Sequence, residues 1–240
     1  MILFENVSKT FGAVKAVQGV SFTVEDGEIV GFIGPNGSGK TTCMKMMTGI
    51  LKPDEGRIEI AGHDILKDPM GAKKEIGYIS DNPDQFMRLK GSEYLELISD
   101  IYGVGEIDRN KRMKELADRF GMMDALDRRI LSYSHGMRQK LMVIGALIHE
   151  PKEWILDEPM TGLDPESAYE LKKMMKEHAQ KGYGVLFSTH VLEVAAQLCD
   201  RVVIIRYGRV MFIGTLDELQ SGYPGRSLEE IFLDLMHKEG

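Results

Sequence analysis

Short runs of apolar and β-branched residues dominate the first third of the chain and predict strands. Five strands are predicted before residue 81, at 2–8, 16–24, 28–34, 57–62 and 75–80. The third of them, EIVGFIG, is an almost uninterrupted apolar run, as expected of a strand that is buried on both faces. This part of the chain is therefore predicted to be rich in β-structure.

Residues 92–149 change to a helical periodicity. The apolar positions of one helix face recur at i, i+3, i+4 and i+7, as Met113, Leu116, Ala117 and Phe120. Asp108 is predicted to cap the start of this helix and Gly121 to end it. These residues are therefore expected to form a helical lobe inserted between two sets of strands.

Strands and helices alternate from residue 154 onward. Strands are predicted at 154–157, 184–188, 201–206 and 210–214, the last two joined by a hairpin turn at 207–209. A helix is predicted to begin at Pro165, capped by Asp164. Alternation of this kind predicts a parallel sheet flanked by helices, and with it an α/β core.

The end of the chain carries two capping boxes, in which a hydroxyl residue is followed three positions later by a glutamate. They are Thr215 with Glu218 and Ser227 with Glu230. The second box opens a helix with one apolar face, formed by Leu228, Ile231, Phe232 and Leu235. We expect this face to pack against the core; a surface for a partner is the alternative.

Composition and charge restrict the possible classes of protein. The 43% hydrophobic and 28% charged residues are ordinary for a soluble globular protein, and a net charge of −7 argues against a general nucleic-acid binder. Cys43 and Cys199 lie far apart, which favours reduced thiols in the cytosol over a disulfide framework. The first residues show no signal-peptide pattern, and the longest apolar run, 141–148, is far shorter than the roughly 20 residues that span a bilayer. Any connection to a membrane is therefore expected to come through a partner chain.

The stretch GPNGSGKTT at 34–42 fits the phosphate-binding pattern G-x-x-x-x-G-K-[ST], between a predicted buried strand and a helical run. Glycines allow backbone N–H groups to surround phosphate oxygens. Lys40 is expected to bridge the β- and γ-phosphates and Thr41 to ligate Mg²⁺. The nucleotide-binding residues predicted here are Gly34, Pro35, Asn36, Gly37, Ser38, Gly39, Lys40, Thr41 and Thr42. GTPases, kinases, helicases and transport ATPases share this loop, so it predicts the ligand and not the use of the energy.

Two adjacent carboxylates end the apolar strand in EWILDEP. Asp157 is predicted to hold Mg²⁺ and Glu158 to polarise the attacking water as a general base; an ordinary acidic strand end is the alternative. His190, in STH at the end of the next strand, could reach a γ-phosphate or be structural.

The chain lacks the guanine-reading N-K-x-D pattern, because its only Asn-Lys pair is followed by Arg-Met, so a GTPase is disfavoured.

Five motifs in this order, GPNGSGKTT, YSHGMRQK, WILDEP, TGLDP and STH, resemble the nucleotide-binding subunits of ATP-binding-cassette (ABC) transporters. The resemblance implies a RecA-like parallel-sheet core, an antiparallel β subdomain, a helical subdomain at about 86–140 and a helical tail at about 215–240, all in one domain spanning 1–240. It also implies a head-to-tail dimer around two ATP, in which Ser134 and Gly136 contact the nucleotide held by the other subunit. Asp164 would lie near the partner's phosphate loop, His190 would act in hydrolysis, and Phe11 would stack on adenine unless it is a core residue.

The chain departs from the family pattern at two motifs. His135 and Met137 replace a commoner glycine and glutamine, a variant similar to exporters of the ABC-2 type with separate membrane subunits. Asp81 stands where the family usually has a glutamine that senses the metal. A carboxylate can ligate Mg²⁺ but adds negative charge near the phosphates; Gln85 could substitute only in a shifted register.

The resemblance implies an ATPase subunit that binds ATP and Mg²⁺ and powers transport, with export favoured. Its expected partners are a second ABC ATPase subunit, identical or different, and an integral membrane permease, which would place it on the cytoplasmic face of the membrane. The alternative is a soluble ABC ATPase acting on DNA or ribosomes. That class carries long coiled-coil insertions or two cassettes in one chain, and this acidic chain has neither, so no nucleic-acid partner is expected.

Overall fold

The computed structural model describes residues 1–84 and 86–237. Its strands are β1 (Ile2–Phe11), β2 (Val14–Val24), β3 (Ile29–Ile33), β4 (Glu55–Ile60), β5 (His63–Asp64), β6 (Ile76–Ile79), β7 (Glu153–Leu156), β8 (Val185–Thr189), β9 (Arg201–Arg206) and β10 (Arg209–Gly214). Its helices are α1 (Lys40–Met47), α2 (Pro69–Lys74), α3 (Gly91–Ile101), α4 (Glu106–Arg119), α5 (His135–Leu147), α6 (Pro165–Gln180), α7 (Leu192–Leu198), α8 (Leu216–Ser221) and α9 (Leu228–His237). Every strand predicted from the sequence is present.

A six-stranded sheet in the order β10-β9-β3-β8-β7-β6 forms the centre of the molecule. Its strands are parallel except for β10, which pairs with β9 through a tight turn. All five residues of β3 are buried, which confirms the interpretation of EIVGFIG as an interior strand. The carboxyl ends of parallel strands meet at one edge of a sheet, so the segments that follow β3, β6, β7 and β8 lie together.

A second, antiparallel sheet in the order β2-β1-β4-β5 covers one face of the central sheet. Phe22 joins the two sheets, since its ring lies 5.1 Å from that of Phe4 and 5.4 Å from that of Phe32. Together with α1, these strands enclose one of the main clusters of buried apolar residues. The predicted fold class, an α/β core with an antiparallel β subdomain, is confirmed.

The helical lobe consists of α3, α4 and the first part of α5, with short 3-10 helices at Met123–Ala125 and Ile130–Ser132. The prediction that Asp108 caps α4 is wrong, because the helix begins at Glu106 after Gly105. The Gly105 carbonyl accepts the first helical bond from the Arg109 N–H, and Asp108 lies in the first turn, where a carboxylate favours the helix dipole. Gly121, with φ of 62°, ends the segment as predicted. Helix α5 continues without interruption into the core under the sheet.

The C-terminal helices pack where the sequence predicts. Thr215 and Glu218 form the first capping box, and the Ser227 hydroxyl accepts from the Glu230 N–H in the second. Ile231 and Leu235 are buried in a cluster with β9, α7 and α8, so the apolar face of α9 belongs to the core. Within the described residues, no helix is long and apolar enough to cross a bilayer, and both cysteines are free.

Candidate nucleotide-binding and hydrolysis site

The loop between β3 and α1 fits its surroundings only with glycine at two positions. A Cβ atom on Gly34 would lie 2.3 Å from the Ile205 carbonyl oxygen, and one on Gly39 would lie 2.6 Å from the Ala16 carbonyl oxygen. Gly39 also has φ of 109°, a left-handed conformation that glycine adopts without strain. Its place directly before α1 is the arrangement that surrounds a phosphate with N–H groups.

This loop forms one wall of a cleft of about 550 Å³. The other walls come from the first hairpin, from the ends of β6 and β7, and from the turn between β9 and β10. Ten of the lining residues were predicted from the sequence as site residues: Asn36, Gly37, Ser38, Gly39, Lys40, Thr41, Thr42, Asp81, Asp157 and Glu158. Tertiary structure therefore gathers the phosphate loop and three separate carboxylates around one space.

Lys40 is almost fully buried, and its ammonium group contacts the phosphate loop itself. It donates hydrogen bonds to the carbonyl oxygens of Gly34 at 2.6 Å and Pro35 at 3.2 Å, and lies 4.0 Å from Glu158 Oε1. Burial lowers the pKa of Lys40, against the opposing charges of Glu158 and Asp157. Phosphate oxygens would offer this buried cation the charged partners that the two carbonyls do not.

Asp157 is completely buried at the end of β7. The Ser188 hydroxyl donates to its Oδ1 atom at 2.6 Å and accepts from the Glu158 N–H at 2.8 Å, so one hydroxyl positions both acidic residues. The Oδ2 atom has no hydrogen-bond partner within the described part of the chain. Burial raises the pKa of Asp157, opposed by the hydrogen bonds from Ser188 and Thr41 and assisted by the charges of Asp81 and Glu158.

These observations fit a divalent cation. The unpaired Oδ2 atom of Asp157 and the hydroxyl of Thr41, which interacts with the same carboxylate, are hard oxygens, the ligands that Mg²⁺ prefers. The described residues contain no group of three or more histidine, cysteine or acidic side chains arranged around a metal. Mg²⁺ commonly binds through one or two carboxylates together with substrate phosphates, so a third protein carboxylate is not needed.

Glu158 projects from the turn after β7 with φ of 47°, a left-handed backbone conformation uncommon outside glycine. Its two carboxylate oxygens each lie 3.1 Å from Nδ1 of His190, which follows β8. A carboxylate can only accept a hydrogen bond, so His190 is the donor when its Nδ1 atom carries a proton. The arrangement brings together the predicted general base and the predicted γ-phosphate contact.

Asp81 follows β6 and lines the cleft with an exposed side chain. Gln85, the alternative metal-sensing residue, lies outside the described residues. Phe11 is 46% exposed at the end of β1, with the Lys9 ammonium group 5.7 Å from its ring centre, so it is not a core residue. It is not among the described residues that line the cleft, although residues 13–16, just beyond it, are.

Ser134 and Gly136 lie at the start of α5, where the Ser134 hydroxyl accepts a hydrogen bond from the Met137 N–H. A Cβ atom on Gly136 would lie 2.6 Å from the Gly162 carbonyl oxygen, so the two loops pack backbone against backbone. Neither Ser134 nor Gly136 is among the described residues lining the cleft of the same chain.

Asp164 caps α6 beside these two loops. Its carboxylate accepts from the Ser167 N–H and pairs with the Lys140 ammonium group at 2.7 Å. These contacts hold the pKa of Asp164 well below its usual range. Asp164 therefore links the start of α6 to α5, and it too is not among the described residues lining the cleft.

Ser188 is the clearest residue that the sequence alone did not single out. It lies two positions before His190 in the same motif, but nothing in the pattern indicates that its hydroxyl reaches across to β7. The walls contributed by the first hairpin and by Tyr207 and Gly208 were also not predicted. The Gly208 N–H donates to the Ser38 carbonyl at 2.8 Å, which ties that turn to the phosphate loop.

A parallel sheet with a glycine-rich loop, a buried lysine and a carboxylate pair at its carboxyl edge defines a P-loop nucleoside triphosphatase. A family model described as ABC transporter matches residues 17–161. The ABC transporter ATP-binding protein NatA of Bacillus subtilis (strain 168) is 36% identical in an alignment of 238 positions that covers 97% of this chain and 97% of NatA. The chain belongs to the ABC transporter family, as an ATP-binding subunit with ATPase activity.

Two solved structures agree with this assignment. One, described as the ATP binding subunit of an ABC transporter, has a TM-score of 0.92 and 35% identity, and the match covers 98% of this chain and 99% of that one. The other is the dimeric structure of MJ0796, a bacterial ABC transporter cassette, with a TM-score of 0.82 and 25% identity over 90% of this chain and 99% of the other.

Proposed function

We propose that this chain hydrolyses ATP as one half of a dimer that drives transport through a separate membrane permease. The observation that carries the catalytic part is the position of Glu158 at the cleft, between the Lys40 ammonium group and the His190 imidazole. Glu158 accepts a proton from the attacking water. Lys40 offers a positive charge to the γ-phosphate, and His190 offers it a hydrogen bond.

Thr41, Asp157 and Asp81 are the residues that would hold Mg²⁺, which supplies charge neutralisation for the phosphates when it is bound. Asp157 is kept in place by Ser188, so the loss of that hydroxyl would disturb both the metal ligand and the backbone of the base. Phe11 is proposed to contact the adenine from the end of β1, because residues 13–16 line the cleft directly after it.

The location of Ser134 and Gly136 supports the proposed dimer. They begin a helix, and the start of a helix favours an anion, yet they are not among the described residues that line the cleft of the same chain. A head-to-tail dimer with two-fold symmetry completes two clefts at once and brings Asp164 near the partner's phosphate loop. MJ0796, a cassette similar to this chain, has a dimeric structure, which supports this assembly.

Transport through a separate permease is supported by the family assignment, and the chain would then sit on the cytoplasmic face of the membrane where ATP is available. Export is favoured by the resemblance of YSHGM at 133–137 to exporters of the ABC-2 type with separate membrane subunits. Co-purification of the tagged chain from its own cell membranes tests the proposal. We expect a polytopic membrane protein as the stoichiometric partner; recovery with ribosomes or DNA and no such protein would instead support the alternative class.

A further inference from the structure

The cleft has an excess of negative side chains on the side where the phosphates would lie. Asp81, Asp157 and Glu158 line it, against Lys15 and Lys40. Lys15 lies on the first hairpin, near the start of β2, and the Lys40 ammonium group already lies 4.0 Å from Glu158 Oε1. A nucleotide carrying its own negative charge therefore enters a site where carboxylates outnumber cations.

Asp81 is the carboxylate of the three that is fixed least by the protein. Asp157 is held by Ser188 and Glu158 is in contact with His190, whereas no hydrogen bond or ion pair of the Asp81 side chain is found within the described residues. Strand pairing places it beside the other two, because Ile79 pairs with Leu156 in parallel register and Asp81 follows two residues later. The Oδ2 atom of the fully buried Asp157 also lacks a hydrogen-bond partner within the described residues.

We propose that Asp81 makes ATP binding by this chain strongly dependent on a divalent cation. Without the cation, the Asp81 carboxylate repels the nucleotide phosphates. With the cation, the same carboxylate and the free oxygen of Asp157 gain a doubly charged partner that also binds the phosphates. The inference rests on the proposed function, since it concerns the same cleft, and it adds a property that a neutral side chain at position 81 would not give.

The variant Asp81→Asn removes the negative charge at this position and keeps the size of the side chain. In Asp81→Asn, the dissociation constant of ATP measured in EDTA should fall by about tenfold or more, because a negative charge that lines the cleft and would repel the phosphates is removed. The dissociation constant at saturating Mg²⁺ should change far less or rise. The ratio of the two constants, metal-free over metal-bound, therefore falls in the variant.

Asp84→Asn is the matched control. It removes the same charge three residues along the same segment, but Asp84 is paired with Arg138 at 2.8 Å and does not line the cleft. Its ratio should equal that of the wild-type chain. Because coupling between two ligands is reciprocal, Mn²⁺ titrated by electron paramagnetic resonance should also show a smaller gain in affinity from a non-hydrolysable ATP analogue in Asp81→Asn than in wild type.

An unchanged ratio in Asp81→Asn overturns the inference. This includes an equal loss of ATP affinity with and without metal, which would indicate a structural role. A fall of the ratio in Asp84→Asn as large as in Asp81→Asn would also overturn it, because the effect would then be one of net charge. If the wild-type chain binds and hydrolyses ATP while the ratio stays unchanged, only this inference fails. A wild-type chain that binds no ATP in either condition would remove the proposed function as well.

Discussion

The Nδ1 atom of His190 lies 3.1 Å from both carboxylate oxygens of Glu158, two residues that are separated by 32 positions in sequence. The contact joins the ends of adjacent strands β7 and β8, and it holds the candidate general base at the mouth of the cleft. Removal of the carboxylate charge should therefore affect the chemical step more than the binding of nucleotide.

In Glu158→Gln, we expect ATP turnover to fall by roughly 10²–10⁴-fold, the usual effect of a lost general base. The affinity for ATP should be retained, because the amide keeps the size of the side chain, and an ATP-bound dimer should accumulate. Steady-state hydrolysis and size-exclusion chromatography with ATP measure the two effects. Normal hydrolysis by this variant would remove Glu158 from the role.

In Lys40→Ala, nucleotide binding itself should weaken, since the buried ammonium group is the cation closest to the phosphate loop. Calorimetric titration with ATP measures the change. Lys45→Ala, on the same helix but outside the described lining of the cleft, is the control and should bind as the wild type does. Equal affinities of Lys40→Ala and wild type would count against the phosphate-loop assignment.

The dimer can be tested by mixing two inactive variants, Lys40→Ala and Ser134→Ala. In a mixed dimer, the intact phosphate loop of the second subunit meets the intact Ser134 of the first, so one composite site is complete and hydrolysis should return. Mixing Lys40→Ala with a chain carrying both substitutions leaves no intact phosphate loop and should stay inactive. If the first mixture also shows no activity, Ser134 does not act on the partner's nucleotide.

Gly136→Ala should destabilise the packing of the start of α5 on the Gly162 loop, because the added Cβ would lie 2.6 Å from the Gly162 carbonyl oxygen. Overpacking of this kind typically costs about 1–3 kcal/mol in the free energy of unfolding. Gly105→Ala is the control: a Cβ there meets nothing within 4 Å, and its φ of −62° suits any residue. Denaturant unfolding compares the two, and equal stabilities would show that the loops yield without cost.

The stability of the chain should fall as the pH drops from 7 to 5. His178 is buried, stacked on Trp154 with ring centres 4.1 Å apart, and burial lowers its pKa from 6.5 to about 4. The unfolded chain therefore binds a proton below pH 6.5 that the folded chain does not. The stability due to the neutral ring is fully present above that pH and is lost as the pH falls toward 4, by up to about 3 kcal/mol.

His178→Gln should flatten this dependence. Unfolding by urea at pH 7 and pH 5, followed by the fluorescence of Trp154, the only tryptophan, measures the slope. An unchanged slope in the variant would assign the pH dependence to other groups.

Much of the fold follows from local patterns. Uninterrupted apolar runs predicted the buried strands, and hydroxyl and acidic caps predicted the starts of α6, α8 and α9, because a capping side chain bonds to N–H groups only a few residues away. The cap of α4 was predicted wrongly because a local pattern does not choose between neighbouring candidates. Asp108 has a capping side chain, but the helix begins after Gly105, three residues earlier. Capping is a weak preference that several nearby residues can satisfy.

The sequence alone determined the chemical parts of the candidate site: the predicted phosphate loop around Lys40, the acidic pair at the end of β7, and His190. The tertiary structure alone decided how they meet. Ser188 reaches both Asp157 and the backbone of Glu158, Asp81 joins them at the edge of the sheet, and Ser134 stays out of the cleft of its own chain. The physical reason is that motifs are read from neighbouring residues, whereas distances between the ends of parallel strands depend on their order in the sheet, which no local pattern contains.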